Sequence, residues 1–188
     1  MKKLIVLLFI ISSQTGFSQS HDNVSIFHRL LIYNADNEIM LVKIKSADVW
    51  VTPGFYQDSV QFVKKGLHDI AATYGMQISN PELRGSFLMR RENGASSEML
   101  IRNIYHSKYL GGPIHFPENQ SFEISEIKWL PLEEALSTVS FESMRIFMKQ
   151  TNTSPKVIWG GAVRAIREND QWSYEIAEEF YPLYDPKY

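Results

Sequence analysis

The stretch from Gly54 to Met76, GFYQDSVQFVKKGLHDIAATYGM, constrains the fold of this chain more than any other segment. Val60, Val63, Leu67, Ile70 and Tyr74 recur at spacings of three and four. That spacing predicts a helix over Ser59–Tyr74 with one apolar face to bury. Asp58 or Ser59 is placed to cap its start, and Gly75 to end it in a left-handed conformation. Residues 69, 72 and 73 share a second face, because positions three and four apart are neighbours on a helix. That face carries Asp69, the methyl group of Ala72 and the hydroxyl of Thr73.

The flanking sequence reads as strands. Phe27–Tyr33 and Ile39–Ile44 are strand-like about a turn at Asn34–Asn37, and Trp50 leads into Pro53-Gly54. After the helix, two strand-like runs flank Asn93-Gly94, and Glu123–Leu136 reads as a strand followed by a short acidic helix. Thr151–Ser154 reads as a linker. Beyond it, alternation in Ala162–Ile166 and Trp172–Ile176, about a turn at Glu168-Asn169-Asp170, predicts a hairpin. A lone hairpin is not stable in water, so it must pack on the main domain, with Trp159, Trp172, Phe180 and Tyr181 as the contact. Gly160-Gly161 marks a bulge or a close backbone approach.

Taken in this order, the helical segment and its flanks resemble the Nudix hydrolases, whose box reads G-x5-E-x7-R-E-U-x-E-E-x-G-U with U a bulky aliphatic. Gly54, Ile70, Gly75 and Met76 fall on the glycine and aliphatic places without a gap. Val60 stands where the first glutamate belongs, His68 in the arginine's place and Asp69 in that of the next glutamate. Ala72 and Thr73 replace the glutamate pair that holds the metal in the family. The family's W-x-x-P-G-G approach is present with its proline one place late, against Gly54. The resemblance covers about Phe27 to Phe147.

It implies an α/β (α+β) fold, a mixed sheet sandwiched between helices, extended by a C-terminal β-hairpin. The expected organisation is a signal peptide at 1–18, a Nudix-like domain at 19–150 and a hairpin extension at 151–188. The activity implied is hydrolysis of a nucleoside diphosphate linked to another group, with magnesium or manganese as cofactor. Magnesium is a hard ion that wants oxygen ligands in octahedral geometry, bridges the diphosphate and activates water. One box carboxylate, Asp69, predicts a weak metal site and weak or lost hydrolysis.

Asp69 and Glu123 are the candidate catalytic residues, with Glu98 as a further carboxylate able to complete a site; carboxylates of this kind more often face solvent. Gly54, His68, Asp69 and Gly75 form the scaffold of the box. Arg84, Arg90 and Arg102 lie on strands that line the family's pocket, and guanidinium forks suit phosphate or carboxylate. Alternation puts Arg90 and Arg91 on opposite faces, so at most one points inward. Trp50 and Tyr56 can stack a base or fill the core. No G-x-S-x-G elbow, H-E-x-x-H or Walker loop occurs.

The N-terminus reads as an export signal. Lys2 and Lys3 precede the apolar run Leu4–Ile11, too short to cross a bilayer, and Gly16-Phe17-Ser18 offers cleavage after Ser18. The mature protein is expected in the periplasm or secreted. The absence of cysteine excludes disulfides, thiolate metal sites and N-terminal acylation at cysteine. A formal net charge of −2 argues against a broad nucleic-acid surface. No later segment is long and apolar enough to span a membrane. Three functions follow: binding of a small phosphate-containing ligand or a protein partner, divergent diphosphate hydrolysis, or an interaction module whose hairpin covers the cleft.

Overall fold

The computed structural model describes residues 24–58, 60–117 and 123–187. The expected signal peptide at 1–18 and the candidate cap Ser59 lie outside the described residues. Ten strands and three α-helices are present among those described. The strands are β1 (Ser25–Tyr33), β2 (Ile39–Ile44), β3 (Val49–Val51), β4 (Gly54–Tyr56), β5 (Gln77–Ile78), β6 (Glu82–Asn93), β7 (Ser96–Gly111), β8 (Ile124–Leu130), β9 (Ile158–Glu168) and β10 (Gln171–Tyr184). The helices are α1 (Val63–Thr73), α2 (Leu132–Thr138) and α3 (Glu142–Asn152).

The main path of the sheet runs β10-β9-β6-β7-β1-β2-β3, with β4 also on β1, β5 on β7 and β8 on β2. It is mixed, since β1 runs parallel to β7 and β6 parallel to β9. Leu30, Leu31 and Ile32 of β1 are all fully buried, so both faces of this strand are covered. Its even positions look toward α1: His28 packs on Phe55, whose ring lies against Gly66 of α1. Its odd positions look toward α3, where the Tyr33 hydroxyl donates to Asn152. Leu67, Ala71 and Tyr74 seal α1 onto one face; Met144, Phe147 and Met148 seal α3 onto the other. Phe87 of β6 stacks on Phe147 at 4.5 Å between centroids. Each of the Leu, Met and Phe side chains contributes about 1.5–3 kcal/mol on burial.

Three local expectations need correction. The helix begins at Val63, not Ser59. Asp58 caps a turn instead, accepting from the backbone amides of Val60 and Gln61 at 2.9 and 2.8 Å. Val60 is therefore 82% exposed and no part of the buried face. The linker expected at Thr151–Ser154 is half helix: Thr151 is fully buried and its hydroxyl donates to the carbonyl of Phe147 within α3. In the hairpin, Trp159 and Phe180 supply the packing, Phe180 meeting Phe87 edge-on at 5.4 Å. Trp172 and Tyr181 stay substantially exposed, because β10 is the outermost strand of the sheet.

The hairpin turn follows its residues. Asn169 and Asp170 have φ of 50° and 63°, as a two-residue turn matching strand twist requires. Gly161, at φ 137°, lets Phe180 approach so closely that an added Cβ would lie 2.6 Å from its ring.

Candidate functional site

The site forms where β1 and β2 part. Their pairing is confined to Tyr33↔Ile39, beside the turn that joins them. Further along, β1 pairs with β4, Phe27 facing Tyr56 and Arg29 facing Gly54. Over the same length β2 pairs with β3 and β8. The wedge between them is a cavity of about 430 Å³, walled by Phe27, Val42, Ile44, Val51 and Phe55 and bounded by Ile70 of α1 and by Tyr74, the residue just past its end. A second cavity of about 270 Å³ lies on the α3 side, lined by Arg29, Arg91 and Arg102 together with Met89, Met144 and Tyr174. The two share Arg29, Tyr56 and Phe141. No carboxylate lines either cavity among the described residues.

Arg29 is the hinge of this cleft. Its Nη1 donates to the carbonyl and the Oγ1 of Thr52 at 3.1 and 3.0 Å, and its guanidinium carbon lies 4.8 Å from the centroid of Phe27. Arg102 reaches the same ring at 5.8 Å and that of Tyr56 at 5.9 Å. Among the described residues neither arginine forms an ion pair, whereas Arg91 is bound by Glu98. Burial, and then the charge of Arg102, pushes the Arg29 guanidinium down to about 10. Burial also lowers Arg102. Two guanidiniums with no ion-pair partner among the described residues are costly alone and favourable once an anion arrives.

The two candidate catalytic carboxylates, Asp69 and Glu123, do not converge. Asp69 pairs with Lys65 at 2.6 Å, one turn back on α1, and Glu123 pairs with Lys45 at 2.8 Å. Ala72 is exposed, and the Thr73 hydroxyl is spent on the carbonyl of Ile70 at 2.7 Å. No group of three His, Asp or Glu side chains among the described residues is arranged to hold a metal ion. The donor set of the cleft does not fit a divalent cation: it offers three guanidiniums where a hard ion needs carboxylate oxygens. His68 is half-buried on α1. The box glycines are structural: a Cβ on Gly54 would meet the His28 carbonyl at 2.5 Å, and Gly75 sits at φ 75°.

Of the other sequence candidates, Arg102 and Tyr56 line the cleft. Arg91 lines it and Arg90 does not; Arg90 sits on the other face of β6, bonded to Ser97 and Glu92. Trp50 lies outside it under Lys128, whose Nζ is 4.5 Å from its centroid. Arg84 belongs to a separate cavity of about 530 Å³ at the far end of α3, with Tyr33, His106 and Asn152. There burial, helped by the charge of Arg84, pushes the His106 imidazole down to about 3. Sequence reasoning missed Arg29 and Phe141. The signal for Arg29 was a single cation at an odd position of the apolar strand FHRLLIY.

The mutator MutT protein of Bacillus halodurans superposes on this chain with a TM-score of 0.65, over 81% of this chain and 97% of that one, at 15% identity. The chain has the Nudix fold. A Nudix hydrolase from Nitrosomonas europaea superposes at 0.53, covering 74% of this chain and 78% of its own, at 13% identity. A UDP-X diphosphatase superposes at 0.51, over 72% and 66%, at 17% identity. No family model and no curated protein sequence matches the chain. The Nudix resemblance of the folded chain thus rests on shape.

Proposed function

We propose that this Nudix-fold protein binds a phosphate-containing small molecule in the Arg29–Arg102 cleft, with metal-dependent pyrophosphohydrolysis weak or lost. The observation that carries this reading is the pairing of two arginines free of ion pairs among the described residues with a cleft wall free of carboxylates. Electrostatics of that sign attract an anion and repel a divalent cation. The UDP-X diphosphatase of similar fold acts on a diphosphate, and that supports phosphate as the anion. We further propose that the protein is exported, on the strength of its N-terminal pattern; sequencing the mature protein is expected to find Gln19 first.

The test is calorimetric titration of the mature protein with inorganic pyrophosphate, in EDTA and in excess magnesium. Binding is expected in EDTA and is expected to vanish in Arg102→Ala. Magnesium-dependent turnover of UDP-glucose would instead favour a divergent hydrolase using Asp69 and Glu123. The absence of any anion binding would leave an interaction module.

A further inference from the structure

An anion on Arg29 and Arg102 occupies only the smaller half of the cleft, and the wedge between β1 and β2 remains to be accounted for. Its wall is aromatic and aliphatic: Phe27, Val42, Ile44, Val51, Phe55 and Ile70. The polar side chains that reach it are Arg29, Thr52, Tyr56 and Tyr74. Arg29 and Thr52 are bonded to each other, and the Thr52 hydroxyl also donates to the Met144 sulfur at 3.9 Å. Tyr56 stands at the mouth, 62% exposed. The nearby backbone is also committed, since the carbonyl of Thr52 accepts from Arg29 and that of Pro53 from the amide of Leu30. Among the described residues that line the wedge, Tyr74, 2% exposed, is the one interior side chain whose hydroxyl has no hydrogen-bond partner among the described residues.

A nucleobase presents several donors and acceptors on its edge. In this wedge most would lose water and find no partner, at a cost of roughly tenfold in affinity or more for each. An apolar body meets no such penalty and gains from every methylene it buries. Because the two cavities meet at Arg29, one molecule can place its charge on the guanidiniums and its body in the wedge.

We propose that the ligand is an anionic amphiphile, a phosphate or carboxylate head held by Arg29 and Arg102 on an apolar body lodged between β1 and β2. This rests on the anion-site reading above and departs from a nucleotide ligand. Phe141, 44% exposed and shared by both cavities, forms the lip over which head and body join.

The experiment is calorimetric titration of the mature protein in EDTA with inorganic phosphate, then butyl, hexyl and octyl phosphate below their micelle concentrations, then octanoate and ADP. Affinity is expected to rise about fourfold per methylene until the wedge is filled, and octyl phosphate to bind at least tenfold more tightly than ADP. Octyl phosphate binding above octanoate assigns the head as phosphate and the reverse as carboxylate; both orders uphold the amphiphile. Ile70→Glu is expected to flatten the chain-length series while inorganic phosphate still binds. Since Ile70 also packs on the core, the wild-type series is decisive without that variant. A flat series, or ADP binding more tightly than octyl phosphate, overturns the amphiphile and leaves the anion site standing. No binding of phosphate, alkyl phosphate, octanoate or ADP overturns both.

Discussion

Replacing Arg29 with methionine separates the cost of the site from its use. Burial and Arg102 hold the guanidinium down to about 10. A difference of that size between folded and unfolded chains costs the charged form on the order of 3 kcal/mol. Against this stand two hydrogen bonds to Thr52 and the contact over Phe27. These contribute about 1 kcal/mol for each bond and about 0.5–1 kcal/mol for the ring. The terms nearly cancel. Arg29→Met is therefore expected to lie within about 1 kcal/mol of wild type, a shift in Tm of about 2–4 °C in either direction. Pyrophosphate at a hundred times its Kd should add about 2.7 kcal/mol to the wild type, or roughly 5–10 °C, and nothing to the variant. Differential scanning calorimetry of both proteins, with and without pyrophosphate in EDTA, reads both quantities. A variant that loses more than about 3 kcal/mol would mark Arg29 as a structural ion. A variant that keeps the full pyrophosphate response would remove Arg29 from the site.

Three further outcomes are expected. His106 is held neutral in the fold down to about 3, whereas an unfolded histidine takes a proton near its ordinary value of about 6.5. Its stabilising contribution is thus complete above pH 6.5 and is lost as pH falls toward 3, by at most about 1.4 kcal/mol per pH unit. Urea melts at pH 6 and pH 4 should therefore fall less steeply in His106→Asn, and equal slopes in the two proteins would contradict the burial argument. Gly75→Ala puts a Cβ 2.1 Å from the Pro113 carbonyl at φ 75°. It should cost at least about 1–3 kcal/mol, visible as a lowered urea midpoint; an unchanged midpoint would show that the end of α1 can relax. Ala72→Glu with Thr73→Glu places three carboxylates within one turn of α1. Attraction for a divalent ion should exceed the like-charge cost of about 0.2–0.5 kcal/mol per pair, so magnesium and manganese affinity should rise in calorimetry. Wild-type protein binding either metal equally tightly would return the hydrolase reading.

What the chain determined by itself is what depends on neighbours in sequence. The strand Ile39–Ile44, the face formed by Leu67, Ile70 and Tyr74, the left-handed stop at Gly75 and the Asn169-Asp170 turn all follow from period and turn chemistry within a few residues. The order of those elements was enough to suggest the Nudix fold. The errors lie where a local signal had two outlets. Asp58 can cap a helix or a turn, and its carboxylate took the turn, accepting from the amides of Val60 and Gln61. Thr151 can open a linker or close a helix, and burial beneath β6 and β7 chose the helix.

The cleft was decided by tertiary structure alone. It needs β1 and β2 to part after one paired position, α3 to dock across β6 and β7, and Arg29, Arg102 and Phe141 to meet from three separate stretches of chain. In the sequence Arg29 is one cation in an apolar strand and Arg102 one of several arginines, with nothing local to mark them as a pair. Their shared field, and the apolar wedge beside it, exist only when long-range packing brings these side chains together and removes them from water, because both charge coupling and apolar burial depend on distance in space and not along the chain.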